Sequence, residues 1–333
     1  MKPLIRKPVG ITLAVLIALG GATILILHHN PLAEPGEEWL KKIIALIIIA
    51  AGLTVFIILY DKVMLLPREL YQNRKLIWKL AKNDFRTRYA GSYMGALWAL
   101  VQPVVTVALY YFVFEVVFGN KSQLLASGIT APYVLWLTAG LVPWFYFSEA
   151  VVQGMMSFLE YNYLVKKVVF KISILPIIKI IGATFVHLFF TFVLLIMYVA
   201  YGQPLDLYLL QLPYYSLCMF VFVLALTYTT ASIVVFFRDL TQIVNIFLQI
   251  GMWATPILWD IGFLNGKLGG FQIIFKFNPI YYVVNGYRCA LFEKKWFWQD
   301  FYSTMYFWIV TAVLFGIGAL IFKRLKVHFA DVL

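Results

Sequence analysis

The sequence predicts an all-α polytopic membrane protein, and three observations predict it. Of its 333 residues 63% are hydrophobic and 13% charged, which is more apolar surface than a water-soluble domain of this length can hide. The apolar residues gather into eight runs, about 11–27, 43–60, 97–118, 132–153, 176–201, 213–237, 242–259 and 303–322. Each is close to the roughly 20 residues that a helix needs to cross a bilayer. Finally, most of the Lys and Arg fall in alternate connecting segments. That bias places both termini and the 63–96 and 154–175 segments on the cytosolic side. The formal charge of +12 is therefore read as topology, and nucleic acid is not an expected partner.

Residues 1–62 read as a hairpin of two spans, with a short outer loop holding His28, Glu34, Glu37 and Glu38. Residues 63–96 follow as a cytosolic stretch, in which Arg74–Arg88 forms a basic amphipathic helix. Lys75, Lys79, Lys82 and Arg86 recur at helical spacing on one face; Ile77, Leu80, Ala81 and Phe85 take the other. Such a helix lies in the headgroup plane, with its lysines beside anionic lipid. Residues 97–333 supply six further spans. Between Pro256 and Asp300 the chain is too polar to cross on its own, because Asn285, Arg288 and Glu293 interrupt it. Residues 260–300 are thus expected to dip into the outer leaflet as one or two half-helices covered by protein.

Catalytic signals are weak. The four histidines, His28, His29, His187 and His328, lack metal-ligand spacing. The segment GFLNGKL resembles a phosphate loop, but it is one residue short and has Leu268 where Ser or Thr would hold magnesium, so it reads as a turn. Asn120-Lys121-Ser122 matches a glycosylation tripeptide that arises often by chance. Cys218 and Cys289 suggest no disulfide framework. The chain is expected to carry no cofactor.

Polar residues inside the spans are more informative. On the third span Gln102, Thr106 and Tyr110 recur every four residues, continued by Phe114 and Phe118. On the seventh, Gln242, Asn245 and Gln249 share a face that Trp253 extends. Amides and hydroxyls are costly in lipid unless they meet protein or water. Two such stripes ending in aromatic rings suggest a conduit for a polar, sugar-bearing solute; hydrogen bonding between packed helices is the plainer explanation. Glu115 and Glu149 lie near span ends, at an interface or facing a pore, and Arg238 and Asp239 form a tight cytosolic elbow that either caps the adjoining helices or touches a partner.

Five segments carry a family resemblance. AKNDFRTRYAGSYMGALWALVQP (81–103), NYLVKKVVFKISILPI (162–177), FRDL (237–240), NPIYYVVNGYR (278–288) and FKRLKVHFADVL (322–333) occur in the order seen in ABC-2 type polysaccharide-export permeases. Those transmembrane subunits export lipid-linked O-antigen, teichoic acid and capsule-like glycans. The resemblance, which covers about 65–333, implies a six-span core and a dimer with a second copy of the chain in a bacterial inner membrane. Two cytosolic ABC ATPases would bind the ATP and magnesium. It further implies that Lys75, Lys79, Lys82, Tyr161, Asn162, Lys166, Lys167 and Lys171 contact the ATPases, and that the third and seventh spans line the channel. Arg86 and Arg88 at the cytosolic mouth are expected to receive the lipid diphosphate, since guanidinium matches phosphate geometry. Asn278, Pro279, Tyr281, Tyr282 and Arg288 are the expected outer gate. Two features depart from the family pattern: the hairpin at 1–62 is extra, and Lys171-Ile172-Ser173 stands where Pro-Arg-Glu is frequent. Rival readings are an ABC-2 exporter of small hydrophobic drugs or lipids, a membrane glycosyltransferase, and a stand-alone channel or scaffold.

Overall fold

A computed structural model describes residues 7–27, 35–88, 92–119, 122–124, 130–166, 171–264 and 272–333. The chain divides into two compact units, Met1–Asn73 and Arg74–Leu333. In the first, α1 (Lys7–Leu27) and α2 (Pro35–Val63) form an antiparallel hairpin, followed by the short α3 (Leu65–Gln72). Lys7 Nζ meets Asp61 Oδ2 at 2.6 Å at one end, and Lys42 Nζ donates to the Ile26 carbonyl at the other. Gly10 allows the close approach: a Cβ there would lie 2.0 Å from the Tyr60 hydroxyl.

The second unit begins with α4 (Arg74–Arg88), continues with α5 (Trp98–Tyr110), which widens into a π-helical stretch Tyr111–Val117, and then forms a small hairpin, β1 (Ser122–Leu124) and β2 (Thr130–Pro132). The strands pair antiparallel, with Gln123 opposite Ala131. Its helical core consists of α6 (Tyr133–Glu160), α8 (Leu175–Ala200), α9 (Gln211–Val234) and α13 (Phe301–Leu325). The remaining elements are α7 (Asn162–Val165), α10 (Leu240–Ala254), α11 (Gln272–Lys276), α12 (Pro279–Arg288) with a π-helical extension Cys289–Glu293, and the terminal α14 (Phe329–Val332). Among the described residues, six helical stretches have the length and apolarity to cross a membrane, including Lys7–Leu27, Tyr133–Glu160 and Phe301–Val332.

The third and seventh expected spans are the short ones, with apolar helices at Pro103–Val117 and Leu240–Ala254. The seventh stops well before the expected residue 259. Pro256 has no N–H to donate and pushes its predecessor out of the helical region; Thr255 accordingly has φ −90° and ψ 129°. At the elbow, Asp239 occupies the N-cap position of α10 without accepting a side-chain hydrogen bond, so the expected cap is not made there.

Helices approach one another where glycine removes the Cβ, the usual route to tight packing when lipid supplies no hydrophobic drive between helices. Gly154 of α6 admits Thr227 of α9, Gly318 of α13 meets the Ala225 carbonyl, and Gly286 of α12 lies under the Tyr215 ring, which a Cβ would meet at 2.1 Å. Gly286→Val is expected to destabilise the fold by about 1–3 kcal/mol through overpacking. Gly316→Ala, with nothing near its added Cβ, should be neutral or stabilising. Thermal unfolding in detergent distinguishes the two, and equal Tm values would refute this packing.

Candidate functional site: an ion network and a buried arginine at opposite ends of one helix

On α4 the residues Ile77, Ala81 and Asp84 recur at four and three and form the buried face. This face packs on α8, where Phe185 receives Trp78 and Phe85 edge-on. The lysines Lys75, Lys79 and Lys82, together with Arg86, remain exposed, as the periodicity requires. The unexpected member is Asp84, a carboxylate on the otherwise apolar face.

Asp84 is held by three elements. Lys179, one turn into α8, donates to its Oδ1 at 2.7 Å; Tyr161, just beyond α6, donates its hydroxyl to the same oxygen; Arg88 of α4 reaches Oδ2 at 3.1 Å. Lys179 also meets Glu160 Oε2 at 2.6 Å and lies over the Tyr161 ring. Arg88 Nη1 stands 3.5 Å from Glu149, whose other neighbour, Gln153, donates at 2.7 Å. Asp84 and Lys179 are almost wholly buried, whereas the Glu160 side chain is 48% exposed. Three carboxylates against two cations leave one negative charge in excess, and the half-exposed Glu160 lets water share it. A Cβ at Gly182 of α8 would make only ordinary van der Waals contact with the guanidinium and the carboxylate, at 3.4 and 3.7 Å.

Burial alone would raise the Asp84 carboxyl. The hydrogen bonds from Lys179 and Tyr161 and the charges of Lys179 and Arg88 outweigh it and hold the group below its ordinary 3.8. Burial and the neighbouring Asp84 push the Tyr161 phenol well above its usual range, so it stays a donor.

About 24 residues up α6, roughly 36 Å at 1.5 Å per residue, lies the second constellation. Arg288 ends α12 fully inside the protein, its guanidinium 3.6 Å from the centre of the Trp136 ring. Nη1 and Nη2 donate to the carbonyls of Pro256 and Ile257 at 2.6 and 2.5 Å, the carbonyls left free where α10 breaks. Gly140 makes the space, as a Cβ would lie 2.8 Å from Nη2. Asn278 caps α12 by accepting from the Ile280 N–H, with Pro279 at the first helical position, and donates to Thr255 Oγ1 at 2.8 Å. Tyr282 is bonded to Tyr214 and Thr304, and Tyr281 is half-buried. The five expected gate residues are thus gathered in one place and join the break after α10 to α6, α9 and α13.

The two stripes are not packed against each other. Gln242, Asn245, Gln249 and Trp253 are all exposed on α10. Tyr110, Phe114 and Phe118 form a ladder with ring centres about 6.0 and 5.9 Å apart, and Phe114 leans on Tyr133. Thr106 is half-buried on the same line; the Gln102 side chain lies outside the described residues. Asn162 and Lys166 are exposed and Lys171 half-buried, whereas Lys167 lies outside the described residues, as do Asn120, Lys121, Gly266, Lys267 and Leu268. Arg88 is engaged by two carboxylates, which leaves Arg86 as the exposed guanidinium of the pair. Glu149 turns out to be part of the network rather than a free pore group, and Asp84 and Glu160 were missed. The signal for Asp84 was present: 77, 81, 84 and 88 lie on one helical face, and a lone acid there needs a cation.

Removing one partner of such a buried pair leaves an uncompensated charge, so Lys179→Met is expected to cost about 3–5 kcal/mol. Because Asp84's carboxyl is depressed on folding, its contribution is complete above the ordinary value and is lost as pH falls below about 4. A Tm measured from pH 7 to pH 3 should fall more steeply for the native chain than for Asp84→Asn; parallel curves would contradict this.

A family model described as ABC-2 type transporter matches residues 75–292, starting within α4 and ending just past α12. Among curated proteins, the chain is 29% identical over 266 residues to an O-antigen export system permease protein RfbA of Myxococcus xanthus, covering 80% of this chain and 98% of that relative. It is 27% identical over 260 residues to the protein of the same name from Klebsiella pneumoniae, covering 78% and 95%. The matched segment contains both the ion network and the buried arginine, and on that basis the chain belongs to the ABC-2 type transporter family, as a membrane permease subunit.

Proposed function

We propose that this permease exports a lipid-linked polysaccharide of the O-antigen class across a bacterial cytoplasmic membrane, as a homodimer driven by two separate cytosolic ABC ATPases. The observation that carries the reading is the pair of polar-aromatic stripes on α5 and α10. The α10 stripe is exposed within one chain, and on the α5 line Thr106, Tyr110 and Phe114 are half-buried with Phe118 exposed; both offer hydroxyl or amide groups beside aromatic faces suited to sugars. The names of the relatives point to the same cargo. Both termini are cytosolic in this reading, and a second copy brings the stripes together around the glycan.

The mechanism follows from the ion network. Partner ATPases press on the exposed lysines of α4 and on the Tyr161–Lys171 segment. Asp84 makes these one mechanical body, because the carboxylate of the first is hydrogen-bonded to the phenol that opens the second and to the ammonium of α8. Movement passes along α6 to Arg288 and the break after α10 and so alters the seam. Arg86 is the exposed guanidinium suited to a lipid diphosphate at the mouth.

Replacing Tyr110 and Trp253 together by Ala is expected to reduce surface glycan by about tenfold or more, with the loss of roughly 0.5–1.5 kcal/mol per stacking face. The complex should still assemble and hydrolyse ATP. Unchanged glycan export in that double variant, measured by glycan staining of intact cells, would remove the conduit assignment.

A further inference from the structure

Beside Arg288 lies a cavity of about 250 Å³ that the transport reading does not use. Its walls come from the start of α6, the break after α10, α11, α12 and the first turns of α13. Trp136, Tyr281 and Tyr306 contribute aromatic rings; Asp260, Asp300 and Lys276 contribute charge.

The chemistry of the walls selects the ligand. Arg288 spends its donors on backbone carbonyls, and Glu293 and Lys295 neutralise each other at 2.9 Å. Lys276 and Asp300 are both solvent-exposed and form no ion pair among the described residues, so a hydrated donor and acceptor stand within reach of a guest. Trp136 is 1% exposed and its indole N–H is closed off from the cavity, so this residue serves as wall and not as a hydrogen-bonding group for a guest. Carboxylates among the lining groups disfavour a phosphate, and the neighbouring ammoniums disfavour a metal ion. An acyl chain would make no use of the polar groups in the wall. The space is slightly below the roughly 300–1,000 Å³ of ordinary ligand pockets, which limits the guest to one small ring. A neutral pyranose satisfies all of these conditions, with C–H faces for the aromatic rings and hydroxyls that both donate and accept.

We propose that this cavity binds a single sugar unit of the glycan during export, apart from the α5 and α10 stripes. The proposal rests on the polysaccharide reading above. In the proposed orientation the site lies at the outer end, where one retained sugar would hinder backward slippage of the chain.

The test uses the full permease with its ATPase in glycan-producing cells. A benzophenone amino acid is placed at Tyr306 or, separately, at Trp253, and irradiation products are stained for periodate-oxidisable glycan. A glycan-bearing adduct is expected at both positions. Filling the cavity with Ser303→Trp should abolish the Tyr306 adduct and spare the one at Trp253. The isosteric Asp300→Asn, which removes one charged acceptor, should lower the Tyr306 adduct about tenfold. An adduct at Trp253 with none at Tyr306, or a Tyr306 adduct indifferent to both substitutions, overturns the cavity assignment and leaves the transport reading standing. Absence of adducts at both positions overturns the two together.

Discussion

The second unit depends on one buried carboxylate. Without Asp84, α4 would be an ordinary basic surface helix, bound to α8 only through Ile77, Ala81 and two edge-on aromatic contacts. With it, three segments distant in sequence share one proton-free oxygen pair, and none can leave without exposing an unpaired charge in a poorly hydrated place. Such a network is weak evidence for stability, since an apolar substitute of the same volume often does as well. It is better evidence for a fixed arrangement, because charge pairs are satisfied in few geometries. A permease driven by a separate motor, as proposed, needs that fixity where the force enters.

A different economy operates at the other end of α6. Among the described residues Arg288 has no carboxylate partner in contact; it is satisfied by carbonyls that a proline-broken helix leaves open and by the face of Trp136. This ties the permanence of the break after α10 to the placement of α12. Gly140 and Gly286 are the space-making residues that let a bulky guanidinium and a tyrosine ring enter the bundle. One rigid helix of about 42 Å therefore links a charged anchor to an uncharged socket.

Much of this was legible in the amino-acid pattern. Apolar runs located the helices, and the family segments anticipated the membership and the grouping of Asn278, Pro279, Tyr282 and Arg288. The length of α10 was misjudged because hydropathy averages over Trp253–Trp259 and is blind to the backbone consequence of Pro256. The partners of Asp84 were hidden for another reason. Lys179 and Tyr161 are separated from it by 95 and 77 positions, and hydropathy reports which face is apolar, not which distant donor meets a buried acid. The involvement of Glu149 with Arg88 required the relative placement of α4 and α6.

The central claim is that force from a separate motor reaches the conduit through the Asp84 contact. It is tested most directly by measuring glycan exported per ATP hydrolysed in vesicles containing the permease and its ATPase, for Asp84→Lys, Lys179→Asp and the exchanged pair. The account predicts that each single variant still binds the ATPase and hydrolyses ATP but exports little, and that the exchange recovers a substantial part of the coupling. Full coupling in the single variants, with the pair broken, would contradict it.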